Sequence, residues 1–261
     1  MKKIISLVLA FAMAISLSAC SSSENSGDTQ TKKLTLATSA DFPPYEYVAD
    51  DGSYAGIDVE VAGKIAEKMG MELEVVNMNF NSIVASVSTG KYDMGMAGLT
   101  VTEDRLQSVD FSNPYANGVQ AIIVKEGSEI ESVDDLYAEG ASYKVGAQIS
   151  TTGAIYFATD IEDGLTTCKL QEFNTGADAI LALSSGKIDC VIIDNEPAKS
   201  FVAANEGLKI LDTEYTNEDY AICVAKGNTE LLDKINAALQ ELIDDGTVQS
   251  IIDKYISADA Q

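Results

Sequence analysis

Histidine and tryptophan are absent from the 261 residues, and arginine occurs once, at Arg105, among 17 basic residues set against 41 acidic ones. Without histidine there is no Ser-His-Asp or Cys-His catalysis, no imidazole metal ligand and no imidazole proton shuttle. The net charge of −24 argues against nucleic acid as a partner, because neutralising phosphates takes clustered Lys and Arg. Cysteine is sparse too. Cys168, Cys190 and Cys223 follow Cys20, an odd number that cannot pair completely within the chain, and no CxxC spacing suggests a metal or redox centre. Cys190 and Cys223 lie in the apolar runs IDCVII and YAICVA, where small buried thiols are the expectation. What is present is a 46% apolar chain, too apolar for disorder and long enough for one or two domains with a proper core.

Lys2 and Lys3 precede an apolar run from Ile4 to Leu17, long enough for the core of an export signal and short for a spanning helix. The run ends in Leu17-Ser18-Ala19-Cys20, which resembles the lipobox of bacterial lipoproteins. That resemblance implies removal of residues 1–19 and lipidation of Cys20, and more than one acyl chain at ~0.8 kcal/mol per buried methylene is enough for stable anchoring. Ser21 to Lys33 has no apolar residue and reads as a flexible tether over 20–33. The fold should then begin near Leu34.

From Leu34 onward, short β-branched runs alternate with amphipathic helical patterns, the signature of an α/β architecture. Helices are expected over Asp58–Met69, closed by Gly70, and over Asn228–Asp245, closed by Gly246, glycine being the usual residue just past a helix end. An internal repeat is more informative. FNSIVASVSTGKYDMGMAG (Phe80–Gly98) matches FNTGADAILALSSGKIDCVIID (Phe173–Asp194): an N-cap Asn (Asn81, Asn174), a helix, a Ser/Thr-Gly-Lys stop, then Asp and a strand. Aligned on Gly90 and Gly186, Gly98 and Asp194 occupy the same place, the carboxyl end of a strand, where open α/β sheets bind ligands. Two such units imply two similar lobes facing one cleft.

Between the units lies MAGLTVTEDRLQSVDFSNPY, Met96–Tyr115. Thr100 offers a hydroxyl, and Thr102 can cap a short helix of Glu103, Asp104 and Arg105. A guanidinium grips a carboxylate with two parallel hydrogen bonds that lysine cannot reproduce, and the chain places its one arginine here. This segment resembles the AGxTxTxxRxxxxxFSxPY signature of the bacterial family 3 extracellular solute-binding proteins, the amino-acid receptors of ABC importers. Supporting matches are Ala37-Thr38 with Phe42-Pro43-Pro44-Tyr45, Gly56-Ile57-Asp58-Val59, Gln148 through Thr152, and Asp189 through Asp194-Asn195-Glu196-Pro197, together spanning nearly all of 34–256.

The resemblance implies an α/β, periplasmic-binding-protein-like (type II) fold with two lobes, two hinge strands and a central cleft. Lobe 1 would be 34–115 plus 220–261, lobe 2 120–215, and the hinges 115–119 and 216–220. It further implies that Arg105 clamps the ligand α-carboxylate with backbone N–H groups of Thr100 and Thr152. The Thr100 hydroxyl, the Gly98 carbonyl and Asp194 would receive the α-ammonium, while Phe42 and Phe80 flank the ligand side chain. Where the family often has Gly-Thr-Thr, this chain has Ser150-Thr151-Thr152. Where glutamine receptors carry an early aspartate it has Ser39, and before Phe80 it has Asn79. Both changes remove negative charge and favour a neutral polar or aliphatic amino acid, although Asp41 and Glu46 lie close enough to support a cationic one. A monomer is expected, with no metal or organic cofactor, no nucleic acid, and a free amino acid, an ABC permease and its ATPase, and the membrane as partners. The other readings are an enzyme resembling cyclohexadienyl dehydratases, with a cleft carboxylate as general acid, and a sensory receptor domain, which normally sits on a longer chain with a transmembrane helix.

Overall fold

The alternation of β-branched runs and amphipathic segments folds as parallel βαβ units. The computed structural model describes residues 32–256; the expected export signal 1–19, Cys20 and the expected tether up to residue 31 lie outside the described residues. The first wing comprises β1 (Lys33–Thr38), a hairpin layer of β2 (Asp41–Phe42), β3 (Glu46–Val48) and β4 (Tyr54–Ala55), α1 (Ile57–Lys68) and β5 (Glu72–Asn77). It continues through α2 (Ile83–Ser88), β6 (Met94–Gly95) and α3 (Glu103–Ser108). A long strand, β7 (Val109–Lys125), leads into the second wing: β8 (Lys144–Gln148), α4 (Thr152–Glu162), β9 (Lys169–Phe173), α5 (Gly176–Ser184), β10 (Cys190–Asp194), α6 (Asn195–Ala204) and β11 (Leu208–Ile210). The return strand β12 (Thr216–Ala225) is followed by α7 (Thr229–Asp244) and α8 (Thr247–Ile256), which pack on α1 of the first wing. Lys33 pairs with Glu72 at the start of β1, so the sheet takes in the last residue of the expected tether.

One curled sheet runs β5-β1-β6-β12-β7-β10-β8-β9, with β11 added against β7. The sequence repeat is visible in it. In each wing the first strand lies between its two successors, as β5-β1-β6 and as β9-β8-β10, all parallel. The repeated aspartates do the same job: Asp93 accepts the N–H of Thr35 in β1 (2.8 Å) and Asp189 that of Lys144 in β8 (2.7 Å). The repeated glycines, Gly90 and Gly186, end α2 and α5 with φ of 70° and 72°. The expected asparagine caps are not used, however. Thr175 caps α5 by accepting the Asp178 N–H (3.1 Å), and Asn81 lies inside a 3-10 turn, Phe80–Ser82, that precedes α2. Threonine supplies the same acceptor oxygen one residue closer to the helix. Gly98 likewise lies three residues beyond β6, in the loop rather than at the strand end.

Between the wings, β7 and β12 pair antiparallel from Thr216 with Gln120 to Ala225 with Val109, with register breaks between Tyr220 and Cys223. The central core lies under α1 and α7, whose apolar faces contribute Ile57, Val61 and Ile65, and Ile235, Leu239 and Leu242, at the spacing of one helix face. Truncating one of these, such as Leu239→Ala, costs ~2–5 kcal/mol. Smaller clusters fill the second wing around Phe157, Val145 and Ile192 and the space under α2 around Ile83, Val87 and Leu99. Among the described residues Cys168, Cys190 and Cys223 are buried free thiols, as the apolar settings of Cys190 and Cys223 suggested.

Candidate ligand-binding site

The ends of β1, β8 and β10, and the loop after β6, all point at one place. In each wing this is the crevice where strand order reverses, the location at which open α/β sheets take ligands. There Ser39, Phe42, Phe80, Gly98, Thr100, Arg105, Thr152 and Asp194, all eight expected site residues, line a single cavity together with Asp41, Glu46, Ala97, Gln148 and Thr151. The cavity takes in about 320 Å³ between the two wings. A larger, more open groove beside α1 and α7 is lined by Lys33, Lys68 and Lys234, paired with Glu74, Glu241 and Glu230, and by Lys32.

Arg105 is placed by the α3 N-terminus. The Thr102 hydroxyl accepts the Arg105 N–H at 3.2 Å, starting a one-and-a-half-turn helix whose face aims the side chain inward. Its guanidinium is 8% exposed and lies 5.5 Å above the Phe80 ring, a cation–π distance. Nη1 donates to the Thr100 carbonyl (2.7 Å) and Nη2 reaches the other wing, donating to the Ser150 carbonyl (3.0 Å). Burial pulls its pKa down while Glu218 opposes that; a guanidinium in a protein nonetheless keeps its proton. Ser150 has φ of 66°, the one non-glycine among the described residues in the left-handed region, at the position where the family pattern has glycine.

Asp194 ends β10 and receives the hydroxyl of Tyr220 from β12. Burial first, then the nearby Glu218 carboxylate, push its pKa up to about 7, against the hydrogen bonds of Tyr220 and Gln120. Gly98 has φ of 52°, and a Cβ there would press the Phe42 ring at 3.0 Å. Its N–H donates to the buried Asp58 at 2.9 Å, whose other oxygen takes the Tyr115 hydroxyl at 2.7 Å; burial pushes Asp58 up to about 6. Ser39 donates to Asp41 (3.0 Å), and burial raises Asp41 as well. Glu46 is wholly buried, and neither carboxyl oxygen has a hydrogen-bond partner within normal geometry. Burial, followed by the proximity of Asp58, raises its pKa well above the ordinary range. Asn79, by contrast, is exposed and outside the cavity, so its lack of charge says nothing about the pocket.

Sequence reasoning passed over the polar group between the wings. Glu218 and Gln120, on the paired strands β12 and β7, are buried. The Thr100 and Thr152 hydroxyls donate to Glu218 at 2.7 and 2.9 Å, and Gln120 at 3.3 Å. The available signal was period two: in a strand, Thr216, Glu218 and Tyr220 share a face, so an inward Tyr220 carries Glu218 inward with it.

The chain as a whole is similar to known proteins. The arginine-binding extracellular protein ArtP of Bacillus subtilis (strain 168) is 32% identical over 99% of this chain and 100% of its own length. The glutamine-binding protein GlnH of the same organism's ABC transporter is also 32% identical, over 99% of both chains. Among solved structures, an ancestral arginine-binding protein bound to arginine superposes with a TM-score of 0.79 at 38% identity, covering 85% of this chain and 97% of that one. The fold is the two-lobed periplasmic-binding-protein type that the sequence resemblance implied. Residues 34–258 match the profile of one family, and the chain belongs to the bacterial extracellular solute-binding proteins, family 3.

Proposed function

We propose that the protein is the extracytoplasmic receptor of an ABC importer, capturing a free L-amino acid between its lobes and delivering it to a membrane permease and its ATPase. The observation that carries this reading is the convergence of Arg105 from one wing and Asp194 from the other on one cavity. A zwitterion needs a cation and an anion held a few ångströms apart, and here they come from opposite sides of the cleft. Arg105 with the Thr100 and Thr152 N–H groups takes the carboxylate; Asp194, the Thr100 hydroxyl and the Gly98 carbonyl take the ammonium. Lobe 1 is then 34–115 plus 220–261 and lobe 2 is 120–215. The hinges, 115–119 and 216–220, fall at the end of the β7–β12 pairing where Thr216 meets Gln120. Closure follows from binding because only a molecule that touches both lobes favours the closed state. The protein acts as a binder rather than a dehydratase, held at the outer membrane face by lipidated Cys20 after loss of the export signal 1–19.

The uncharged Ser39 in the cavity wall favours a neutral polar or aliphatic ligand. A specific observation favours a cationic one instead: once Asp194 is matched to the ammonium, Asp41 and Glu46 remain in the cavity with no basic side chain to balance them, and several similar proteins bind arginine. A thermal-shift screen of residues 21–261 against the twenty amino acids, followed by calorimetry, tests both. A ligand at a thousandfold over its Kd adds ~4 kcal/mol and several degrees. Shifts confined to arginine, lysine or ornithine establish the cationic reading, shifts with glutamine or aliphatic residues the neutral one. A shift with prephenate or arogenate and none with amino acids overturns the receptor reading.

A further inference from the structure

We propose that Glu218 is a positioning residue that fixes which end of the zwitterion the cleft hydroxyls accept, an inference that rests on the amino-acid reading of the site. A threonine hydroxyl has one proton and two lone pairs. The Thr100 and Thr152 protons are both committed to the same oxygen of Glu218, at 2.7 and 2.9 Å. A hydroxyl that has spent its proton presents only lone pairs elsewhere. Thr152 Oγ1 already faces the Gln120 amide at 3.4 Å, which leaves Thr100 as the acceptor open to the cavity it lines. Thr100 therefore receives an ammonium N–H and repels a carboxylate oxygen, and the carboxylate is left to Arg105.

Glu218 stands behind these threonines rather than in the cavity wall, and is 6% exposed. It is one carboxylate serving Thr100 of the first wing, Thr152 of the second and Gln120 of the strand between them, so the orientation is set when the wings come together. Its other oxygen is buried without a hydrogen-bond partner among the described residues. Glutamine fills the same volume but can give an N–H to a threonine oxygen. That frees the hydroxyl proton to turn toward the cavity and blurs the distinction between the two ligand ends.

The test is discrimination rather than affinity alone. Calorimetry on the full-length mature chain would compare L-arginine with des-amino δ-guanidinovalerate, and L-glutamine with des-amino glutaramate, for wild type, Glu218→Gln, Thr100→Val and the double variant. In the wild type the amino acid binds more tightly than its des-amino partner. Glu218→Gln is expected to weaken the amino acid roughly tenfold or more, the scale of one hydrogen bond to a charged group, and the des-amino compound less than threefold, so their ratio collapses. In the Thr100→Val background Glu218→Gln should cause no further collapse, because the hydroxyl it orients is gone. Equal losses for both members of a pair mean that Glu218 only supports the fold, and overturn the proposal. So does an additive double variant. A wild type that binds none of the four compounds and no other amino acid removes the receptor reading itself, a result separable from an unchanged ratio in a protein that binds.

Discussion

Ligand-free stability should rise as the solution is made mildly acidic, the reverse of ordinary acid lability. Burial pushes Asp194 up to about 7 and Asp58 up to about 6, from 3.8, so between pH 4 and pH 7 the folded state binds more protons than the unfolded one. Stability changes with pH in proportion to protons bound unfolded minus protons bound folded; here that difference is negative, and unfolding free energy falls as pH rises through the folded values. Integrated from pH 8 to pH 5, the two groups add on the order of 3–4 kcal/mol, about two thirds of it from Asp194. Asp41 and Glu46 are displaced in the same direction. Ion-paired surface carboxylates such as Asp110 beside Lys226 are lowered instead, and their contribution disappears only below this window. Urea denaturation followed by circular dichroism at pH 5, 6, 7 and 8 measures the slope. Repeating it in 1 M salt removes the general self-repulsion of an acidic chain, since screening then acts over ~3 Å, while the buried contribution persists. Asp194→Asn should lose more than half the slope. Ligand affinity should run the other way, weakening about tenfold per unit below pH 7, because the ammonium needs an ionised Asp194. Stability that is flat or falls from pH 8 to pH 5 in high salt, or an undiminished slope in Asp194→Asn, would refute the reasoning.

Arg105→Ala removes one member of the proposed desolvated charge pair with the ligand, worth ~2–5 kcal/mol, so calorimetry should show binding weaker by about thirtyfold or more; unchanged affinity would remove Arg105 from the site. Gly118 pairs with Glu218 in the hinge, and a Cβ on it would stand 2.3 Å from the Tyr220 ring and hydroxyl. Gly118→Ala should therefore cost ~1–3 kcal/mol by overpacking and weaken binding through the displaced Tyr220–Asp194 bond, both measurable by urea midpoint and calorimetry. Ser150→Gly relieves a left-handed backbone worth ~1–2 kcal/mol against ~0.5–1 kcal/mol of added unfolded-state freedom. It should raise the urea midpoint slightly with the Arg105–Ser150 bond intact, and a lowered midpoint would show that the serine side chain is needed there.

Much of this site could be read in the chain because its chemistry is local in sequence. Arg105 is the only arginine and sits three residues after its own cap, Thr102; Asp194 is fixed by a repeat whose glycines and aspartates serve identical backbone roles in both wings. Glu218 was not legible for the opposite reason. Thr-Asn-Glu-Asp before Tyr220 looks like a solvated turn, and its burial is decided by Thr100 and Thr152, 118 and 66 residues away in the chain. Asn79 misled in the same way, since adjacency to Phe80 did not put it in the cavity. The repeat located the strands, but the exact caps were competed for by neighbouring Thr175 and the 3-10 turn at Phe80–Ser82, differences of one residue that patterns of alternating polarity do not separate.

The proposed pairing of the carboxylate with Arg105 of one lobe and of the ammonium with Asp194 of the other makes closure part of specificity. Moving a two-state hinge from one part in a hundred closed to ninety-nine takes ~5.5 kcal/mol of preference for the closed form. At ~1.5–3 kcal/mol for one charged hydrogen bond reaching across the cleft from each end, either end alone falls short and the two together approach that figure. A des-amino acid bound to the Arg105 lobe should then leave most molecules open, and a decarboxylated amine on the Asp194 lobe likewise. Small-angle scattering of the protein saturated with the cognate amino acid, its des-amino analogue and its amine would measure this directly. Compaction with the amino acid alone supports closure by bridging; equal compaction with either half-ligand would show that one charge closes the hinge, and that Arg105 and Asp194 select the ligand without sharing the work of closing around it.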